Sequence, residues 1–134
     1  MLLNGAFILV AEDEPFIALD VALAIEDAGG HVVGPASSVT EALDLIDGRP
    51  IGGAILDVNL VDGDITPVAE AILRLGIPVI LQSGIGLPPE LAARFPAVVI
   101  HSKPCNPAKL VAQLAGLMLE REGAPPSDDQ QNSI

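Results

Sequence analysis

The chain has 134 residues, half of them apolar, with 18 acidic against 6 basic side chains for a formal charge of −12 and with neither Trp nor Tyr. That length predicts one domain with a sizeable core. The charge excludes a surface for nucleic-acid phosphates or anionic membranes, and the missing aromatics exclude a base-stacking platform.

Residues 7–11 (FILVA) are short and apolar throughout, which predicts a buried strand. Residues 15–28 follow as a helix, with Pro15 in the first turn, Asp13 or Glu14 as cap and Gly29-Gly30 as stop. A second strand is expected at 31–34 (HVVG). Ser38 and Glu41 have the spacing of a capping box and open a helix that ends near Gly48. Residues 53–58 (GAILDV) give a third strand, Thr66 and Pro67 open a helix that stops at Gly76, and residues 78–83 (PVILQS) give a fourth strand. Pro88 and Pro89 leave room before Pro96 for about two helical turns, so the fourth helix is expected to be short or irregular. A fifth strand is expected at 97–101 (AVVIH), and Asn106 with Pro107 opens a last helix running to Glu122. This alternation predicts an α/β fold, a flavodoxin-like doubly wound five-stranded parallel sheet of (βα)5 type. The domain is expected over 1–122, with 123–134 a polar, flexible tail.

The longest run without charge, 75–89, has 15 residues and three prolines, short of the roughly 20 apolar residues of a membrane span. The first ten residues carry no basic segment, so no signal peptide is expected. A single cysteine, Cys105, fits a reducing compartment, and a cytoplasmic protein is expected.

In a doubly wound sheet, ligands bind beyond the carboxyl ends of the strands. The candidates there are Glu12, Asp13 and Glu14 after the first strand, Asp57 and Asn59 after the third, Ser83 after the fourth, and Lys103 after the fifth. Three carboxylates at one edge raise one another's pKa unless a cation neutralises them. Mg²⁺ suits such a site, because it takes one or two carboxylates, keeps several waters and leaves room for phosphate oxygens. An ammonium and a hydroxyl add donors for those oxygens. The chemistry suggested is phosphoryl transfer onto a carboxylate, in which the protein positions groups and neutralises charge.

An acidic pair, a strand-end Asp, a strand-end Ser and a Lys-Pro step in this order resemble the receiver domain of two-component response regulators. Each motif is weak alone, but four at the ends of successive strands are specific. The resemblance implies that Asp57 is the phosphoacceptor and that Glu12, Asp13, Asp57 and the backbone carbonyl of Asn59 hold Mg²⁺. It implies that Ser83 contacts the phosphoryl group, that Lys103 binds it, and that the Lys103-Pro104 bond is cis. A sensor histidine kinase or histidine phosphotransfer protein is the implied donor, and a downstream protein the implied target. With few residues after the last helix, a stand-alone, single-domain regulator is expected, catalysing at most its own phosphorylation and dephosphorylation.

Val61 and Ile100 depart from the family pattern, standing where a proline and a switch aromatic are usual. His101, one residue on, is expected on the opposite face of its strand. Together with the short fourth helix, these departures leave a second reading, a pseudo-receiver that docks proteins without phosphorylation. A third, an aspartate-nucleophile hydrolase, is disfavoured because Asn59 stands where such enzymes commonly place a general acid. Ile85, two residues after Ser83, is expected to shield the phosphoryl group from water and slow its loss.

Plainer readings compete. Carboxylates at 12–14 are also favoured by a helix N-terminus, at about 0.3–1 kcal/mol each, and Ser83 alone reads as a turn residue. Asp57 resists, since an unpaired charge closing an apolar run is costly. Lys103 is one of only two lysines, and the other, Lys109, reads as a solvated helix charge. His101 reads as a packing or surface residue, and Cys105, with no paired base, as a small loop residue.

Overall fold

The computed structural model describes residues 1–84 and 89–123. In chain order its elements are β1 (Phe7–Ala11), α1 (Pro15–Asp27), β2 (His31–Ala36), α2 (Val39–Ile46), β3 (Ile51–Asp57), β4 (Asn59–Leu60), β5 (Gly63–Asp64), α3 (Thr66–Arg74), β6 (Val79–Ser83), α4 (Pro89–Arg94), β7 (Val99–Ser102) and α5 (Pro107–Gly123). The main sheet is parallel, with strand order β2-β1-β3-β6-β7, so the chain reverses direction across the sheet between β1 and β3. This is the expected doubly wound α/β architecture.

Strand side chains alternate faces, and the apolar runs therefore feed two cores. Leu9, Leu56 and Leu81 pack with Ile72 of α3 and Leu91 of α4. Ile8, Ile55 and Ile80 pack with Val21 and Ile25 of α1 and Leu114 of α5. The short α4 is held by the fully buried Leu91 and by an ion pair of Arg94 with Glu70 of α3. No helix among the described residues is long and apolar enough to cross a membrane.

Several boundaries differ from expectation. β2 continues two residues past the expected stop, through a cis Gly34-Pro35 bond, and Ala36 accepts a hydrogen bond from Glu12 N at 2.8 Å. Proline is tolerated there because β2 is an edge strand. β3 starts at Ile51 because Gly52 and Gly53 are strand residues rather than breakers. A Cβ on Gly53 would meet Leu114 at 3.1 Å, so this glycine lets α5 lie close to the sheet. β3 ends at Asp57, one residue before the expected end, and β7 runs over Val99–Ser102 rather than 97–101. Ile85 and residues 124–134, which make up nearly all of the expected tail, lie outside the described residues.

The expected cap of α1 is not formed. Glu14 holds the cap position without a side-chain hydrogen bond, and its N–H donates instead to Glu12 Oε2 at 3.1 Å. The capping box of α2 is half formed. Ser38 Oγ accepts from Glu41 N at 3.0 Å, but Glu41 Oε1 accepts from Ser37 N, one residue before the cap.

The remaining donors of α2 are met from a distance. β4 and β5 form a small antiparallel hairpin, and Gly63 at φ +146 supplies a backbone conformation that side-chain-bearing residues rarely adopt. Asp62, in its turn, accepts from Val39 N at 2.6 Å, Thr40 N at 3.2 Å and Thr40 Oγ1 at 3.1 Å. The Val39 N–H foremost holds the Asp62 carboxyl below its usual range. A depressed carboxyl contributes stability at neutral pH and loses it as pH falls through its folded value. Asp62→Ala is therefore expected to lower the melting temperature at pH 7, with the gap to the native chain narrowing as acid protonates the depressed carboxyl. Thermal unfolding followed by circular dichroism from neutral to strongly acid pH checks this, and a gap independent of pH contradicts it.

Candidate functional site

The register of the sheet assembles the site. Ala11 of β1 lies opposite Leu56 of β3, so the next residues, Glu12 and Asp57, emerge side by side. Asp57 is in turn opposite Gln82 of β6, and Ser83 is opposite Ser102 of β7, with Lys103 N donating to Ser83 O at 2.9 Å. Each strand stops at the same edge, and the polar residue after each apolar run is delivered there.

Glu12, Asp13 and Asp57 each place a carboxylate oxygen within 4.8 Å of the others. Glu12 and Asp57 are buried, and Asp13 is partly buried. Lys103 Nζ lies 2.9 Å from both Glu12 Oε1 and Asp57 Oδ2, and so bridges β7 to β1 and β3. Asn59, exposed at the start of β4, donates its N–H to Asp57 Oδ1 at 3.3 Å. Ser83 is buried at the end of β6. The Lys103-Pro104 bond is cis, as expected.

The electrostatics follow from burial. Desolvation pushes the Glu12 carboxyl up to about 7, against the opposing pull of the Lys103 ammonium and the Glu14 N–H, and the Asp57 charge adds to the rise. Burial alone would lower Lys103, but its contacts with Glu12 and Asp57 outweigh that and hold it above the usual lysine value. Three clustered carboxylates with one ammonium leave net negative charge in a partly buried cleft. A hard divalent cation with oxygen preference fits this donor set.

Two residues of the site region were not singled out from sequence. Gln82 is buried beside Ser83, with Nε2 3.4 Å from Glu12 Oε1. Its signal was a polar residue inside an apolar strand. Asp62 ties the loop after Asp57 to α2, and its signal was the Asp-Gly step of a hairpin turn. Ile100 is exposed, while His101 Nε2 meets Gln113 Oε1 of α5, so the two face opposite sides of β7 as expected. Cys105 Sγ donates to Ser102 O at 2.9 Å in the loop before α5.

The strand order, together with the acidic cluster at the ends of the paired strands β1 and β3, is that of the receiver domains of response regulators. Among curated proteins it is similar to the phyllosphere-induced regulator PhyR of Methylorubrum extorquens strain AM1, with 32% identity over 126 residues, 87% of this chain and 45% of that protein. Among solved structures it is similar to a CheY-like response regulator receiver domain protein from Methanospirillum hungatei, at TM-score 0.79 and 25% identity, covering 90% of this chain and 99% of that one. It is also similar to the anti-anti-sigma factor PhyR from Bartonella quintana, at TM-score 0.72 and 26% identity, covering 97% of this chain and 52% of that one. The chain thus spans about half the length of these PhyR proteins. No family model matches it.

Proposed function

We propose that the chain is a cytoplasmic phosphoacceptor switch that takes a phosphoryl group on Asp57 from a histidine kinase or histidine phosphotransfer protein and signals by binding another protein. The observation that carries this reading is Lys103 Nζ, 2.9 Å from both Asp57 Oδ2 and Glu12 Oε1 within a cluster of three carboxylates. In the reaction an Asp57 oxygen forms a bond to phosphorus as the phosphorus–nitrogen bond of a phosphohistidine breaks, and the histidine nitrogen keeps the electron pair. Glu12, Asp13, Asp57 and the Asn59 carbonyl would hold Mg²⁺, which when bound neutralises charge on the phosphoryl oxygens. The Asn59 N–H fixes Asp57 through Oδ1. Lys103 follows the negative charge from the carboxylates to the phosphoryl group, and Ser83 donates its hydroxyl to it.

The expected result is a mass gain of one phosphoryl group on incubation with acetyl phosphate and Mg²⁺, and none when EDTA replaces the metal. The exposed Ile100 in the place of an aromatic favours a second reading, a pseudo-receiver that docks proteins unphosphorylated. No mass gain with metal present would select it. The Bartonella relative is an anti-anti-sigma factor, which supports a protein target under either reading.

A further inference from the structure

β6 carries one polar side chain within the run VILQ, and Gln82 is only 1% exposed. A buried amide must find partners, because leaving it unpaired costs more than the strand gains by holding it. Its Nε2 faces Glu12 Oε1 at 3.4 Å, the same oxygen that Lys103 Nζ contacts at 2.9 Å. The other oxygen, Oε2, accepts from Glu14 N at 3.1 Å. Glu12 is therefore held by an ammonium, a backbone N–H and a side-chain amide.

These three holders respond differently to charge. An ammonium is repelled by a cation entering the carboxylate cluster and is drawn to a phosphoryl group. A neutral amide feels only the weaker ion–dipole part of these forces and donates along a direction fixed by its strand. We infer that Gln82 is a positioning residue that keeps the Glu12 carboxylate aimed at the cluster once Lys103 turns away. The inference rests on the proposed divalent-cation site and deepens it. Groups that orient a metal-binding side chain typically change metal affinity by about 10–100-fold when removed. The 3.4 Å separation, long for an amide donor, is expected to shorten when Lys103 leaves the shared oxygen.

Calorimetric Mg²⁺ titration of four chains tests this: native, Gln82→Met, Glu12→Gln, and the double variant. Met matches Gln in length and removes the amide, and Gln82→Leu serves in its place if Gln82→Met does not fold. The expected result is about tenfold or more weaker binding in Gln82→Met, with a metal-free unfolding midpoint close to native. In the Glu12→Gln background the second substitution is expected to add nothing, because the carboxylate it orients is gone. Equal affinity in native and Gln82→Met overturns the inference alone, as does a full additive loss in the double variant. A native chain that binds no Mg²⁺ overturns the cation-site reading, and the inference falls with it.

Discussion

Asp57→Asn is expected to abolish phosphoryl uptake from acetyl phosphate and Mg²⁺, leaving the unmodified mass at every time point. The carboxamide has nearly the same shape, so the strand and its packing are kept. It lacks the anionic oxygen that must bond to phosphorus, and it withdraws one of three carboxylates from the cation cluster. Lys103 retains Glu12 as a partner, so the change does not strand a buried ammonium. A mass gain that survives this substitution would place the acceptor elsewhere, and peptide mapping of the modified chain would then find it. Intact mass spectrometry of both chains after identical incubation decides the matter.

Lys103→Met is expected to have two effects. The phosphoryl transfer rate is expected to fall by about 10²–10³-fold, the usual consequence of removing one preorganised charge donor from a reacting centre. The metal-free chain is also expected to be less stable, on the order of 3 kcal/mol, because Glu12 and Asp57 lose the ammonium that balances them in a buried place. Mg²⁺ then has more to neutralise and no ammonium to displace. The variant is therefore expected to gain more stability from Mg²⁺ than the native chain does. Initial rates by mass spectrometry and urea unfolding with and without the metal measure both effects. A transfer rate within a few-fold of native would remove Lys103 from the reaction.

The sheet was readable because its strands are apolar on both faces. Runs such as FILVA and PVIL have no solvated side to confuse with a helix, and the polar residues that end them fall at one edge by construction. Glu12, Asp57, Ser83 and Lys103 are legible in the sequence by that logic. The boundaries were less legible wherever glycine or proline served packing rather than turning. Gly52 and Gly53 sit inside β3, Gly53 directly under α5, and Pro35 sits on an edge where its missing N–H does no harm. The cap positions of α1 and α2, Glu14 and Ser38, were legible, but some of the hydrogen bonds around them were not. Local spacing shows which side chains lie near a helix end but cannot show that the Glu14 N–H turns to Glu12. Nor can it show that Asp62 arrives from more than 20 residues away to serve α2. Gln82 is not legible from sequence because the partner its side chain meets, Glu12, is remote in the chain.

That remoteness has a consequence for how the molecule comes into being. Lys103 meets Asp57 across 46 residues of chain and Gln82 meets Glu12 across 70, with strand β6 lying between Lys103 and the acids it touches. Closing loops of this length is entropically late work, because distant contacts form only after their intervening segments are in place. No hairpin, fragment or half-assembled sheet contains the constellation. The Asp57 carboxylate and the Lys103 ammonium come together only when the fifth sheet strand has docked. Under the proposed function, chemical competence therefore waits on that strand, and a phosphoryl donor would meet an acceptor site only in the assembled domain.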